Sequence, residues 1–266
     1  MNEMSSGTAP GFAKHPGYVL EVLSTPKRVR VVFGGETLAD TTAALIVRES
    51  GHMPVYYLPR ADIRLDLLTA TDHSSYCPFK GTAAYWSIAA GDKVAENAVW
   101  SYPSPYREAG ALKDHMAFYW NRVDHWYEED EEVLKHPRDP KVRVDVLSSR
   151  REVSVRLEGE LVAKSSNALF VFETGMPVRY YLPAEDVRMD LLRPVETSSI
   201  CPYKGKARYW QAELGGKVFD DIAWAYPDPF DEVRRIRDRI AFFDERVDEV
   251  FVDGIAQARP KTQWSA

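Results

Sequence analysis

Shifting the 266-residue chain by 124 positions lays one half on the other without a gap, and roughly 30 of about 70 positions from Tyr56 to Asp124 then coincide. Tyr56-Tyr57-Leu58-Pro59 returns as Tyr180-Tyr181-Leu182-Pro183, and Ser74-Ser75-Tyr76-Cys77-Pro78-Phe79-Lys80-Gly81 returns as Ser198-Ser199-Ile200-Cys201-Pro202-Tyr203-Lys204-Gly205. Tyr85-Trp86 and Trp100-Ser101-Tyr102-Pro103 recur as Tyr209-Trp210 and Trp224-Ala225-Tyr226-Pro227. Solenoid units run to about 20–50 residues, so a period this long is a whole domain duplicated. The divide falls between Glu128 and Pro140, where an acidic run meets two X-Pro pairs and no core element can form. This places a first domain over residues 15–130 and a second over 136–254, with the first dozen residues as a loose terminus. Two such copies are expected to pair about a pseudo-two-fold axis, as the subunits of a dimer do.

Composition narrows the partners. A net charge of −6 and a pI near 5.6 lack the cationic excess that a nucleic-acid groove or a polybasic membrane surface requires. No apolar run approaches the roughly 20 residues of a membrane span, and Met1 to Lys14 lacks a charged start followed by an apolar block. The expectation is a soluble, cytoplasmic protein with no nucleic-acid or membrane partner.

The same order of elements reads out of both copies. Val29, Val31 and Phe33 alternate with polar neighbours up to Gly34-Gly35, as Val153, Val155 and Leu157 do before Gly159, which predicts a β-hairpin. Ala44–Val47, Val55–Leu58, the stretch after Gly81 and the one leading to Trp100 supply further strands, matched by Ala168–Val171, Val178–Leu182 and the stretches around Gly205 and Trp224. Ser104-Pro105 and Asp228-Pro229 then resemble helix starts. The apolar spacing Ala109, Leu112, Met116, Tyr119, Val123, Trp126, echoed by Val233, Ile236, Ile240, Phe243, Val247 and Val250, predicts one closing helix per copy that packs on the sheet. The fold class is mostly β (α+β), two tandem two-sheet domains each closed by a C-terminal helix.

The chemistry-bearing residues gather around the Cys-Pro-Phe/Tyr-Lys-Gly segment. Cys77 and Cys201 are the chain's two cysteines and occupy the same position in the two copies. A zinc site built within one copy from four cysteines, or from two cysteines and two histidines, therefore lacks its ligands, and free thiols are expected. A lysine three residues on, Lys80 or Lys204, could activate the thiol or anchor an anion, and the glycine after it allows close backbone approach. A cysteine nucleophile normally uses a histidine base, yet His52, His73, His115 and His125 become Met176, Thr197, Arg239 and Glu249. Glu49 and Glu173 end an apolar strand and are candidate proton acceptors. Asp62/Asp186 and Asp66/Asp190 flank Arg64 and Arg188, a spacing that suggests a structural network in which one guanidinium holds both carboxylates. Tyr57, Tyr85 and Trp100, with Tyr181, Tyr209 and Trp224, are aromatic positions kept in register and could wall a ligand pocket.

These residues together resemble the DUF427 family: the Gly35-Glu36…Ala39 and Gly159-Glu160…Ala163 hairpins, Glu49 and Glu173, Tyr-x-Pro, Asp-Val/Ile-Arg, the Cys-Pro-Phe/Tyr-Lys-Gly signature, Tyr-Trp and Trp-x-Tyr-x-x-Pro, here in tandem over nearly the whole chain. The resemblance implies a β-tent-like domain, two sheets meeting at an angle, similar to methionine sulfoxide reductase B and the drug-binding domain of cereblon. Those proteins place ligands between the sheets but carry zinc-binding cysteine pairs that this chain lacks, so the likeness implies a location and no chemistry. The expected function is small-molecule binding, in one pocket per copy, with or without catalysis by Cys77, Lys80, Glu49, Cys201, Lys204 and Glu173, and with no metal or cofactor. An interaction or scaffold module and a thiol-dependent redox or transfer enzyme are the alternatives.

Overall fold

The computed structural model describes residues 7–265, and the chain divides into two compact units between Asp139 and Pro140. The first unit opens with a one-turn helix, α1 (Pro10–Lys14), and continues as β1 (Leu20–Ser24), β2 (Val29–Phe33), β3 (Glu36–Thr41), β4 (Leu45–Glu49), β5 (Val55–Pro59), β6 (Leu68–Cys77), β7 (Gly81–Ala90), β8 (Lys93–Ser101), β9 (His115–Phe118), β10 (His125–Glu128) and β11 (Glu131–Glu132). A seven-stranded antiparallel sheet runs β1-β4-β5-β9-β8-β7-β6, and a smaller one runs β11-β10-β2-β3. The β2–β3 hairpin forms as its alternation requires, with Val29, Val31 and Phe33 buried and Arg30 and Val32 less so.

Alternation along the strands of the long sheet sorts side chains into two clusters. Tyr56 and Leu58 of β5 enter the main core with Val29, Val31 and Leu38 of the small sheet, while Tyr57 between them enters a second cluster with Val47 and Tyr85. The main core therefore fills the space between the sheets. The second cluster lies on the opposite face of the long sheet, under Ala109 and Leu112.

The second unit repeats the plan with β12 (Val144–Ser148), β13 (Val153–Leu157), β14 (Glu160–Ser165), β15 (Leu169–Glu173), β16 (Arg179–Tyr181), β17 (Leu192–Cys201), β18 (Gly205–Leu214), β19 (Lys217–Ala225), β20 (Ala241–Phe242), β21 (Glu249–Val252) and β22 (Ile255–Ala256). Its small sheet is β14-β13-β21-β22. Its long sheet is interrupted: β12-β15-β16 and β17-β18-β19-β20 meet through an isolated bridge between Leu182 and Ile240.

The closing helix is not formed in either unit. Arg107–Leu112 and Asp231–Ile236 are 3-10 turns broken at Ala109 and Val233, and the apolar residues beyond them are divided between strands, which hold Met116, Trp126 and Val250, and the loops that join them, which hold Tyr119, Val123, Phe243 and Val247. Met116, Ala117 and Phe118 are consecutive and all buried, because β9 lies between β5 and β8 at the centre of the long sheet and is covered on both faces. A continuously buried strand shows no alternation. Trp126 belongs to β10, which pairs with β2 in the small sheet. The three-and-four spacing thus threads a turn, two strands and the connection between them rather than one helix face. The N-terminal dozen is also not uniformly loose: residues 1–6 lie outside the described residues, but α1 packs on Phe79.

Candidate functional site

Each signature segment is a tight turn between two hydrogen-bonded strands. Lys80 N–H donates to the Cys77 carbonyl, and Cys77 pairs with Gly81; Lys204 and Cys201 repeat this with Gly205. Gly81 and Gly205 adopt φ of +110° and +103°, and a Cβ there would sit 3.2 and 3.1 Å from the Ser104 and Asp228 carbonyl oxygens. The glycine is required by backbone conformation as much as by space. The turn aims the lysine inward to the end of β4 or β15, where Lys80 Nζ pairs with Glu49 Oε2 and Lys204 Nζ with Glu173 Oε2.

Both ion pairs are withdrawn from water. The side chains of Lys80 and Glu49 are 10% and 8% exposed, those of Lys204 and Glu173 9% and 15%. Behind them stand the buried phenols Tyr57 and Tyr102, or Tyr181 and Tyr226. Tyr57 Oη accepts from Trp100 Nε1 at 3.0 Å and Tyr181 Oη from Trp224 Nε1 at 3.1 Å. Burial pushes the Tyr57 and Tyr102 hydroxyls well above the ordinary phenol range, and the nearness of Cys77 and Glu49 adds to it. These phenols stay neutral donors at any physiological pH. Tyr85 and Tyr209 form hydroxyl pairs with Ser75 and Ser199 at 2.7 and 2.6 Å. Both thiols are free and half-buried.

All twelve residues singled out in the sequence therefore converge, six in each unit, on the outer face of the long sheet. Tyr57 and Tyr181 are sealed at 1% exposure and act as packing and hydrogen-bond partners of Trp100 and Trp224. Strand alternation parts Tyr85 from Trp86, which packs against the main core instead. The aspartate–arginine network is narrower than its spacing suggests. Arg64 makes two hydrogen bonds to Asp66, at 2.8 and 2.6 Å, while Asp62 accepts from Thr41 Oγ1 at 2.6 Å; Arg188, Asp190, Asp186 and Ser165 repeat the arrangement.

Two features escape sequence reasoning. In the first unit the leader covers the site: Tyr18 Oη donates to Glu49 Oε1 at 2.9 Å, its ring stacks on Phe79 at 3.6 Å, and Phe12 meets Phe79 edge-on at 5.1 Å. In the second unit a charged cluster, Arg179 with Asp244 and Glu245, stands where the first has Val55, Trp120 and Asn121. Its signal was present as charge replacing neutral residues at duplicated positions. The leader has no such signal, because residues 7–18 lie outside the repeat's strongest identity.

A groove of about 560 Å³ lies beside the first signature turn, lined by Thr71, His73, Ser74, Tyr76, Thr82 and Tyr106 among others. Among the described residues no three His, Cys, Asp or Glu side chains are grouped as metal ligands, and no helix is long and apolar enough to cross a membrane.

The fold and site together define a tandem β protein in which each repeat hides a lysine–glutamate pair on the outer face of its long sheet. The family described as a domain of unknown function (DUF427) matches residues 21–129 and 145–253, and the chain belongs to that family, carrying two copies of its domain. No curated protein matches the sequence.

Proposed function

We propose that the protein binds small molecules, with one site per repeat at the buried lysine–glutamate pair. The observation that carries this reading is that the pair is built twice, from the same elements, within a shell of neutral phenols and a free thiol. A buried ion pair adds little stability over an apolar pair of the same volume. Its presence in two copies that have diverged at more than half of their aligned positions supports a role in recognition. Lysine would anchor an anionic or carbonyl group, glutamate would accept a proton or hydrogen bond, and the aromatic rings would cover the apolar part of the ligand. In the first repeat entry requires Tyr18 to leave Glu49, because the neighbouring groove is lined by none of the six residues. The β-tent likeness belongs to this proposal too, with one change: the site lies on the outer face of the long sheet and not between the sheets. The free thiols fit a reducing compartment such as the cytoplasm.

A thermal-shift screen against a metabolite library tests the reading with three chains: wild type, Lys80→Arg with Lys204→Arg, and Lys80→Ala with Lys204→Ala. Ligands that raise the melting temperature of the wild type by several degrees and lose that effect in both variants support it; indifference of the wild type to every compound counts against it. The sealed tyrosines favour a second reading, a scaffold in which the shared residues brace the sheet. Native thiols that resist alkylation in both repeats would favour the scaffold, whereas rapid, pH-dependent alkylation would turn attention to thiol transfer chemistry.

A further inference from the structure

The outer face of the second repeat also holds a buried ion pair that the first repeat lacks. Glu245 is 3% exposed and accepts hydrogen bonds from both terminal nitrogens of Arg179. The guanidinium lies 5.6 Å from the Trp224 ring centre and 6.0 Å from that of Phe243, so a buried ion pair floors an aromatic wall. The C-terminal segment of the chain is seated on it. Thr262 Oγ1 donates to Glu245 Oε1 at 2.7 Å. The indole of Trp264 lies 6.2 Å from the Phe243 ring and 5.8 Å from the Arg179 guanidinium. Arg246 Nε donates to the Trp264 carbonyl at 3.1 Å. Trp264 N–H donates to Thr262 Oγ1 at 3.1 Å, which folds the segment so that hydroxyl and indole reach the same wall.

We propose that this face is a peptide-binding site for a Thr-x-Trp segment, occupied in this chain by its own residues Thr262–Trp264. Three anchors of different kinds support it: a buried carboxylate for the hydroxyl, an aromatic and guanidinium wall for the indole, and an arginine for the backbone carbonyl. Glu245 is already paired by Arg179, so the Thr262 hydroxyl adds a charge-assisted hydrogen bond to a preformed ion pair, a contact that apolar packing of the segment would not require. The segment lies beyond residue 253, where the second family match ends, and position 140, its counterpart in the first repeat, is proline. The site is therefore particular to the second repeat. It shares the Trp224 wall with the ligand site proposed above but takes its polar anchors from Glu245 and Arg246 and not from Lys204 and Glu173. A short tether holds a ligand at an effective concentration in the millimolar range. A modest intrinsic affinity keeps the site filled in cis, and a free peptide competes only when the tethered segment is impaired.

The test is a titration of a fluorescein-labelled peptide spanning Arg259–Ser265 into the full-length wild type and the full-length Thr262→Ala, Trp264→Ala variant, read by anisotropy. Saturable binding by the variant, at least tenfold weaker in the wild type and abolished when the peptide's own tryptophan is replaced by alanine, is the expected result. No saturable binding by the folded variant up to millimolar protein overturns the proposal, as does equal binding of the peptide lacking tryptophan. Trypsin cleavage after Lys261 gives a second measurement that needs no vacated site. It is expected to be at least tenfold slower in the native wild type than in Trp264→Ala, and equal rates overturn the docked segment.

Discussion

Glu49 shows how a single buried charge depends on its neighbours. Its two oxygens are taken by Lys80 and Tyr18, so Lys80→Met leaves a carboxylate in the interior with one phenol for company. Loss of about 3–5 kcal/mol is expected from urea denaturation, the usual effect of removing one partner of a buried pair, and Lys80→Met with Glu49→Leu should recover most of it. Asp244 behaves in the opposite sense. Burial pushes its carboxyl up to about 7, with Arg179 pulling it down and Glu245 raising it further. The folded chain thus keeps a proton that the unfolded chain releases near pH 4, so the contribution is fully present below about pH 4 and is lost as pH rises through about 7. Asp244→Asn should flatten this fall, gaining stability relative to the wild type by a few kcal/mol between about pH 4 and 8. Urea midpoints at the two ends of that range measure it; an unchanged difference between the chains would show that Asp244 does not titrate there.

The elements divide into those that write themselves in side chains and those that do not. The β2–β3 and β13–β14 hairpins alternate because one face is buried and the other is not, and are readable for that reason. The long β6 and β17 are edge strands of mostly exposed residues, held by backbone pairing to β7 and β18, and so carry no apolar period to read. The central β9 reads as helix for the converse reason, being buried on both faces. The leader is an element whose role rests on contact alone. Gly11 lies against Phe79 so closely that a Cβ would stand 2.6 Å from a ring carbon, and Tyr18 stacked on that ring limits its freedom to move. Gly11→Ala should undock α1 and speed trypsin cleavage after Lys14 by about tenfold with little change in the global melt; cleavage at the wild-type rate would show that the leader accommodates the methyl group.

At the scale of the molecule, duplication has produced two units that share a plan and differ in what covers the plan's outer face. Each has its own inter-sheet core and its own second cluster, with Val31, Leu58 and Met116 central to one and Val155, Leu182 and Ile240 to the other. A chain ending at Asp139 and another beginning at Pro140 are each expected to show a cooperative thermal transition. A gradual, non-cooperative melt of either half would mean that its core is completed from outside. The covering segments differ in kind: an N-terminal leader reaches Glu49 in the first unit, and the C-terminal tail reaches Glu245 in the second.

Duplication and strand-rich architecture were legible in the amino-acid sequence, as were the twelve duplicated residues that gather on each long sheet, because repetition and alternation are local patterns that survive without knowledge of contacts. Which face of the sheet those residues occupy, which carboxylate each lysine meets, and which chain end lies over which repeat were decided by the tertiary structure. These are pairings between segments far apart along the chain, of about 30 positions for Lys80 and Glu49 and about 100 for Ala9 and Glu108. Short-range pattern has no term for them; they follow only when the strands have taken their register and the turns have set the direction of each side chain.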